Sequence, residues 1–281
     1  VEPAQRFPPI TPKINKISAH RGAAPRFNVP APNFPASVSP RARQDLRAAY
    51  ARTIGEEVYP AYRALRDFLA SEYLPHAREA PGIGAVPGGA EHYRLLVARE
   101  TTLPLDPDRI HATGLAEVAR LRGEMDTVRA RIGFSGSLEA FFDHVRSDPR
   151  YHPKDAQELA EGFAAIREKV DAALSRFFSR MPKTPLVIAP FPPFRERFEP
   201  AASYYQGSAD GTRPGTFFYN TWDLPARFLT GMTTLYLHEA VPGHHFQISL
   251  AQENAALPGF LRFGGNSAFV EGWALYAEAL G

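Results

Sequence analysis

The segment His238-Glu239-Ala240-Val241-Pro242-Gly243-His244-His245 combines residue types that bind metals and transfer protons. The chain has no cysteine, so a transition metal would have to be held by histidine, aspartate or glutamate. Zinc peptidases often carry two histidines four residues apart on one helix, with a glutamate directly after the first. Because such positions share a helix face, both rings reach one ion. Here the fourth position after His238 is Pro242, so the strict spacing is absent.

Pro242 itself suggests how the spacing could be restored. On an unbroken helix, His244 would lie about 240° around the axis from His238, and His245 about 10 Å along the axis. Proline lacks the N–H that an interior helical position needs, so the helix should be distorted, and the glycine that follows tolerates unusual conformations. If Val241 and Pro242 bulge outward, the remaining residues have the zinc spacing. This predicts His244 as the second ligand, with His245 behind the ligands or facing substrate.

Glu271 is the predicted third ligand, because it lies in a later, mainly apolar segment where a carboxylate needs a cation. Glu278 lies two turns further along the same helix face and is expected to hydrogen-bond a ligating histidine. Zinc held by His238, His244 and Glu271 would keep one position open for water. Glu239 would then act as general base and afterwards as general acid.

Stabilisation of a tetrahedral oxyanion requires a further donor, and substrate must also be held. The candidates lie in the segment before the histidines, and the sequence leaves the choice among them open. They are Tyr204, Tyr205, Arg213 and Tyr219.

The composition excludes several classes of function. The chain has 281 residues, of which 44% are hydrophobic and 22% charged, so a sizeable core can form. A net charge of +2 gives no electrostatic reason to expect a nucleic-acid partner. The apolar stretches are far shorter than the roughly 20 residues of a membrane helix, so we expect no membrane partner.

The patterns predict a mainly α-helical fold with a small β-sheet. Residues 1–38 are rich in proline and indicate an arm or linker, residues 39–182 a helical region, and residues 183–281 the sheet and the zinc-site helices. Pro60 should kink or restart the first helix. Predicted helices begin at Ser39-Pro40, at His244 and near Asn266. Others span 92–102, 106–132, 137–147, 155–178 and 223–237. Predicted strands span 186–188, 202–206 and 216–219. The residues predicted to face inward from the 106–132 helix are Ile110, Val118, Leu121, Met125, Val128 and Ile132.

Two motifs resemble the bacterial family catalogued as domain of unknown function 885. They are His-Glu-Ala-Val-Pro-Gly-His-His-Phe-Gln (238–247) and Val-Glu-Gly-Trp-Ala-Leu-Tyr-Ala-Glu (270–278), and residues 210–217 with Asn220 also fit. The resemblance runs from about residue 36 to the end of the chain. It implies a gluzincin-type zinc peptidase with a helical cleft, zinc at His238, His244 and Glu271, and Glu239 as the catalytic residue.

The resemblance also implies that this chain is a piece of a longer protein. Members of the family continue past this C-terminus through helices that should close the cleft, so the architecture is expected to be incomplete there. A missing C-terminal segment or a second chain is therefore a predicted partner, alongside a short peptide substrate.

These features predict zinc-dependent hydrolysis of peptide bonds in short peptides, with Glu239 activating the water at the metal. Amino-, carboxy-, di- and endopeptidase activities remain open. The alternatives are a zinc-binding piece that is catalytically incomplete, a zinc hydrolase of non-peptide amides, and a helical interaction module without metal. The absence of cysteine permits a location outside the bacterial cytoplasm, and export of related proteins favours it.

Overall fold

The computed structural model describes residues 34–281, so residues 1–33 of the predicted proline-rich arm lie outside the described part. The chain divides into two compact units, Val1–Pro87 and Gly88–Gly281. The predicted change from helices to strands near residue 183 falls inside the second unit, which also contains all the predicted site residues.

The first unit consists of consecutive helical segments. Ser39 caps the first helix through its hydroxyl, which accepts a hydrogen bond from the Ala42 N–H. The segments are α1 (Pro40–Thr53), a π-helical turn (Ile54–Val58), α2 (Tyr59–Phe68), a second π-helical turn (Leu69–Tyr73) and a 3₁₀ turn (Leu74–His76). Pro60 lies at the start of α2, in agreement with the predicted restart.

The second unit opens with four helices, and acidic or hydroxyl side chains cap the starts of the last three. The four helices are α3 (Gly89–Thr101), α4 (Pro107–Arg131), α5 (Leu138–Ser147) and α6 (Ala156–Leu174). The side chains of Asp106, Ser137 and Asp155 accept backbone N–H groups of the first turns of α4, α5 and α6. These three helix starts confirm the predictions made from the cap residues.

A three-stranded sheet follows, formed by β1 (Leu186–Pro190), β2 (Ala202–Tyr205) and β3 (Gly215–Tyr219). The spatial order is β1-β3-β2. Strand β1 runs parallel to β3, with Leu186 opposite Gly215, and β2 runs antiparallel, with Ala202 opposite Tyr219. The prediction of a mainly helical fold with a small sheet is confirmed, and β2 is an edge strand.

Four helices complete the chain: α7 (Met232–Glu239), α8 (His244–Glu253), α9 (Gly259–Phe263) and α10 (Ser267–Leu280). The helix predicted over 223–237 is present only from Met232, because two 3₁₀ turns (Leu224–Ala226 and Leu229–Gly231) precede α7. Asp223 has φ of 55°, in the left-handed region, and its side chain makes no capping hydrogen bond, so a helix does not start there.

The core of the second unit joins the sheet to α6 and α7. The Phe163 ring of α6 lies 5.0 Å from the Phe217 ring of β3, which lies 5.8 Å from the Tyr236 ring of α7. All three side chains are buried. This packing fixes the end of α7, where His238 and Glu239 are found.

Helix α4 departs from its predicted orientation. Its apolar residues were predicted to face inward, but all six are exposed, at 41–57% of their surface. The prediction is wrong because no described element packs over that side of α4. The six exposed residues are Ile110, Val118, Leu121, Met125, Val128 and Ile132.

Among residues 34–281, none of the helices combines the length and the apolar character that a membrane crossing requires.

Candidate metal centre

The two histidines of the motif lie on different helices. Helix α7 ends at Glu239, Ala240 leaves the helical conformation, and α8 begins at His244. The Val241-Pro242 peptide bond is cis. The predicted outward bulge is wrong, because Val241 is only 6% exposed and packs within the core cluster. Between the two helices, the Val241 side chain is therefore buried in the core.

Gly243 permits the close approach of the two helices. A Cβ atom at this position would lie 1.9 Å from the His238 carbonyl oxygen and 2.3 Å from that of Leu237, so any side chain would clash with backbone. With glycine present, α8 starts directly against the end of α7. The His244 ring consequently lies 4.8 Å from the His238 ring, centroid to centroid, in a nearly perpendicular arrangement.

Helix α10 packs across this junction. Ala274 and Ala277 are fully buried, and their small side chains allow close packing against α7. The Trp273 indole Nε1–H donates to the Pro242 carbonyl oxygen at 2.7 Å. The Asn266 side chain caps the first turn of α10, as its position in the sequence predicted. Glu271 is thereby placed opposite the two histidines.

His238, His244 and Glu271 form a group in which one ligand atom from each lies within 4.8 Å of the others. Glu271 Oε2 is 3.5 Å from His238 Nε2 and 3.8 Å from His244 Nε2. Tetrahedral zinc with bonds of 2.0–2.1 Å places its ligand atoms about 3.3 Å apart. Because the ligand atoms lie within 4.8 Å of one another, they would have to approach by up to about 1.5 Å to close on the ion, and the donor set fits zinc. Glu271 is 56% exposed, which leaves the group open on one side.

Glu278 holds the His238 ring in place. Its Oε1 atom lies 2.6 Å from His238 Nδ1, so Nε2 is left facing Glu271. Carboxylates often hold ligating histidines in this way. His244 differs, because its buried Nδ1 has no hydrogen-bond partner among the described residues. Burial, and then the nearby His238, lower the pKa of His244, while Glu271 opposes the shift.

Glu239 borders the same group from the end of α7. Its Oε2 atom accepts the Tyr204 backbone N–H at 2.9 Å, across the free edge of β2. Burial is the main cause that raises the pKa of the Glu239 carboxyl, and Glu271 adds to it. The charge of His238 and the Tyr204 N–H act in the opposite direction.

His245 and Tyr204 face each other away from the metal ligands. The Tyr204 hydroxyl oxygen lies 3.1 Å from His245 Nδ1. A Cβ at Gly215 would be 2.5 Å from that hydroxyl and 2.6 Å from Nδ1, so this pair also depends on a glycine. Burial lowers the pKa of His245 to about 4, and the ring is 2% exposed. His245 therefore packs behind the motif.

The remaining predicted residues separate into two groups. Tyr205 is exposed and its hydroxyl contacts Arg195. Arg213 Nη1 donates to the Gln206 carbonyl oxygen at 2.6 Å and so anchors its own loop. Tyr219 is buried and lines a cavity together with Glu239. Of the four candidates for the oxyanion or substrate, Tyr219 is thus the one that lines this cavity.

The cavity has a volume of about 500 Å³ and lies beside His238, Glu239 and Glu278. Its other walls are mostly apolar, with Asn220, Arg227 and Thr234 among the polar members. The remaining lining residues are Leu159, Phe163, Ala201, Tyr219, Ala226, Phe228, Gly231, Met232 and Leu235.

Sequence reasoning missed Trp273 and Arg227. Trp273 stands within the motif that follows Glu271, but its hydrogen bond to Pro242 is visible only once the helices are placed. Arg227 lies between two 3₁₀ turns and belongs to no motif.

Comparisons with known proteins add a family and a fold. No curated protein matches the chain. Among solved structures, the chain is similar to "The crystal structure of the putative lipoprotein from Colwellia psychrerythraea", with a TM-score of 0.90 and 28% identity. The match covers 96% of this chain and 47% of that one, so the chain spans about half the length of that protein. The family model described as "Bacterial protein of unknown function (DUF885)" matches residues 4–281. The chain therefore belongs to the bacterial family DUF885.

Proposed function

We propose that this chain hydrolyses peptide bonds in short peptides, with zinc held by His238, His244 and Glu271. The observation that carries the proposal is the convergence of these three side chains from α7, α8 and α10, with a half-buried glutamate directly after the first ligand. Zinc bound there would act as a Lewis acid and lower the pKa of a water molecule to about 7.

The chain's own residues perform the proton transfers in this mechanism. Glu239 takes a proton at its carboxylate and passes it to the leaving amine, as general base and then general acid. The Tyr204 N–H at 2.9 Å holds the carboxylate in one orientation. Glu278 keeps the His238 ring turned so that Nε2 faces Glu271. The adjoining cavity, which Tyr219 lines, offers space for the substrate next to Glu239.

Replacement of Glu239 by glutamine tests the assigned proton transfer. The variant keeps the size of the side chain but cannot accept the proton, so hydrolysis of a panel of short peptides should fall about 100- to 10,000-fold. Zinc content, measured by elemental mass spectrometry, should stay unchanged because Glu239 is not a ligand. The matched control is Glu124→Gln on α4, which should hydrolyse at the wild-type rate. Hydrolysis by Glu239→Gln at the wild-type rate would contradict the mechanism.

A zinc-binding piece that does not turn over substrate by itself is a second candidate. The observation that favours it is that the similar solved structure is about twice as long as this chain. It predicts stoichiometric zinc without hydrolysis of any peptide or simple amide in the panel. Under this candidate, a missing C-terminal segment or a second chain supplies what turnover requires.

A location outside the cytoplasm is part of the proposal. It is supported by the similar solved protein, which is described as a "putative lipoprotein". Fractionation of the bacterial cell with an antibody against the chain would test it, and recovery in the cytoplasmic fraction would contradict it.

A further inference from the structure

The cavity beside Glu239 has the size and the walls of a small-ligand site, and it can accommodate one large amino-acid residue. Its volume of about 500 Å³ falls within the range of roughly 300–1,000 Å³ typical of small-ligand sites. Leu159, Phe163, Met232 and Leu235 give it apolar walls. Glu239 lies in the same wall, so a residue bound there would lie next to the proposed point of cleavage.

Arg227 is the one arginine or lysine among the residues that line this cavity. Its Nε–H donates to the Trp222 carbonyl oxygen at 3.1 Å. Its own carbonyl oxygen lies 2.8 Å from His152 Nδ1, and the His152 ring packs against Phe228 at 4.7 Å. The backbone of Arg227 and the Nε atom of its guanidinium are therefore held in place.

Within the described part of the chain, the Arg227 guanidinium makes only the hydrogen bond from Nε, so its outer nitrogens have no partner there. The two carboxylates of the cavity are already engaged, Glu278 by His238 and Glu239 by the Tyr204 N–H. A guanidinium with free outer nitrogens is suited to bind a carboxylate through two parallel hydrogen bonds. The cavity thus offers one cation and apolar walls next to Glu239.

We propose that this cavity binds the C-terminal residue of the peptide, with Arg227 holding the free α-carboxylate and the apolar walls holding a large apolar side chain. The inference rests on the proposed function, and it makes the chain a carboxypeptidase-type enzyme. A short peptide would be cleaved at or near its C-terminus, and a peptide with an amidated C-terminus would be a poor substrate.

Matched peptides with free and amidated C-termini test this substrate class. We expect kcat/KM for a peptide ending in phenylalanine to be at least about 10-fold higher for the free acid, since hydrogen bonds between charged groups are the strong ones. In Arg227→Gln this preference should disappear through loss of activity on the free acid. The control is Arg197→Gln, whose guanidinium lies over the Trp222 ring outside the cavity lining and should leave the preference intact. Equal cleavage of both peptides, or a preference that survives in Arg227→Gln, would overturn the inference.

A binding measurement separates this inference from the proposed function. N-acetylphenylalanine should bind the purified protein about 10-fold more tightly than its amide by calorimetric or NMR titration, and Arg227→Gln should bind both equally. That result in a chain without hydrolytic activity would support the site while the proposed function fails. Hydrolysis of peptides with no dependence of acid binding on Arg227 would overturn the inference and leave the proposed function standing.

Discussion

Helices α10 and α4 belong to the same unit, and both carry apolar and acidic residues at helical spacing, yet they are used differently. In α10, Ala274 and Ala277 are fully buried, Trp273 donates to the chain between α7 and α8, and Glu278 contacts His238. In α4, the apolar residues are exposed and the charged ones pair with each other, as Arg120 does with Glu117 at 2.7 Å.

The comparison shows that apolar periodicity identifies a helix but does not determine what covers it. Helix α10 is held in place by the small side chains of Ala274 and Ala277, which allow close packing. The hydrogen bond from Trp273 to the chain between α7 and α8 also holds it. Its acidic residues are aimed at imidazoles, whereas Glu117 and Glu124 of α4 contact only a neighbouring arginine. Substitution of acidic residues should therefore affect zinc binding on α10 but not on α4. Substitution of apolar residues should likewise cost more stability where they are buried than on α4.

The largest expected effect is that of Gly243→Ala. The added Cβ would overlap the His238 carbonyl oxygen, so α7 and α8 must separate and the two histidines with them. We expect loss of zinc retention and a fall in the free energy of unfolding of about 4 kcal/mol or more. The matched control on α4 is Gly123→Ala, where nothing lies within 4 Å, and helix propensity should stabilise the chain by about 0.5–1 kcal/mol. Thermal denaturation measures the stability of both variants, and metal analysis measures their zinc content. A Gly243→Ala protein with wild-type stability would show that the junction between α7 and α8 is not close-packed.

Leucine-to-alanine changes compare the core directly with α4. Leu159 is 3% exposed and lines both the core and the cavity, so Leu159→Ala should lower the free energy of unfolding by about 2–5 kcal/mol. Leu121 on α4 is 42% exposed, and Leu121→Ala should change the free energy of unfolding by no more than about 0.5 kcal/mol. Urea unfolding of the two variants measures both values. A cost at Leu121 as large as that at Leu159 would mean that the α4 face is covered in solution.

A smaller effect is expected from Glu278→Gln. The amide is a weaker partner for His238 Nδ1 than the carboxylate, so the ring is less well oriented and zinc affinity should fall about 10- to 100-fold. Glu124→Gln on α4 removes an exposed ion pair with Arg120 and should leave zinc affinity unchanged. Competition with a zinc chelator gives both affinities. Equal zinc affinities for the wild type and Glu278→Gln would contradict the role of Glu278 in orienting the His238 ring.

Residue types and local rules predicted much of this molecule. Cap residues located the starts of several helices because a side-chain oxygen and the first N–H groups are close in sequence. The convergence of His238, His244 and Glu271 was predictable because ligand chemistry and a helix-breaking Pro242 are visible in the chain. The position of Val241 was not, because its inward packing depends on the sheet and α6.

Two further features could not be predicted for physical reasons. The inward face of α4 depends on which element covers it, and periodicity carries no information about that partner. Arg227 reaches the cavity through an irregular segment held by His152 and Trp222, whose contacts join residues as far as 75 positions apart. Such long-range contacts leave no local pattern.

The zinc content of the purified chain, compared with that of Glu271→Ala by elemental mass spectrometry after incubation with zinc and gel filtration, tests the central claim most directly. We expect close to one zinc per wild-type chain and a large loss in Glu271→Ala, with both proteins folded by circular dichroism. A folded wild-type chain that retains no zinc, or a Glu271→Ala variant that retains as much as the wild type, would contradict the assignment of His238, His244 and Glu271 as the metal site.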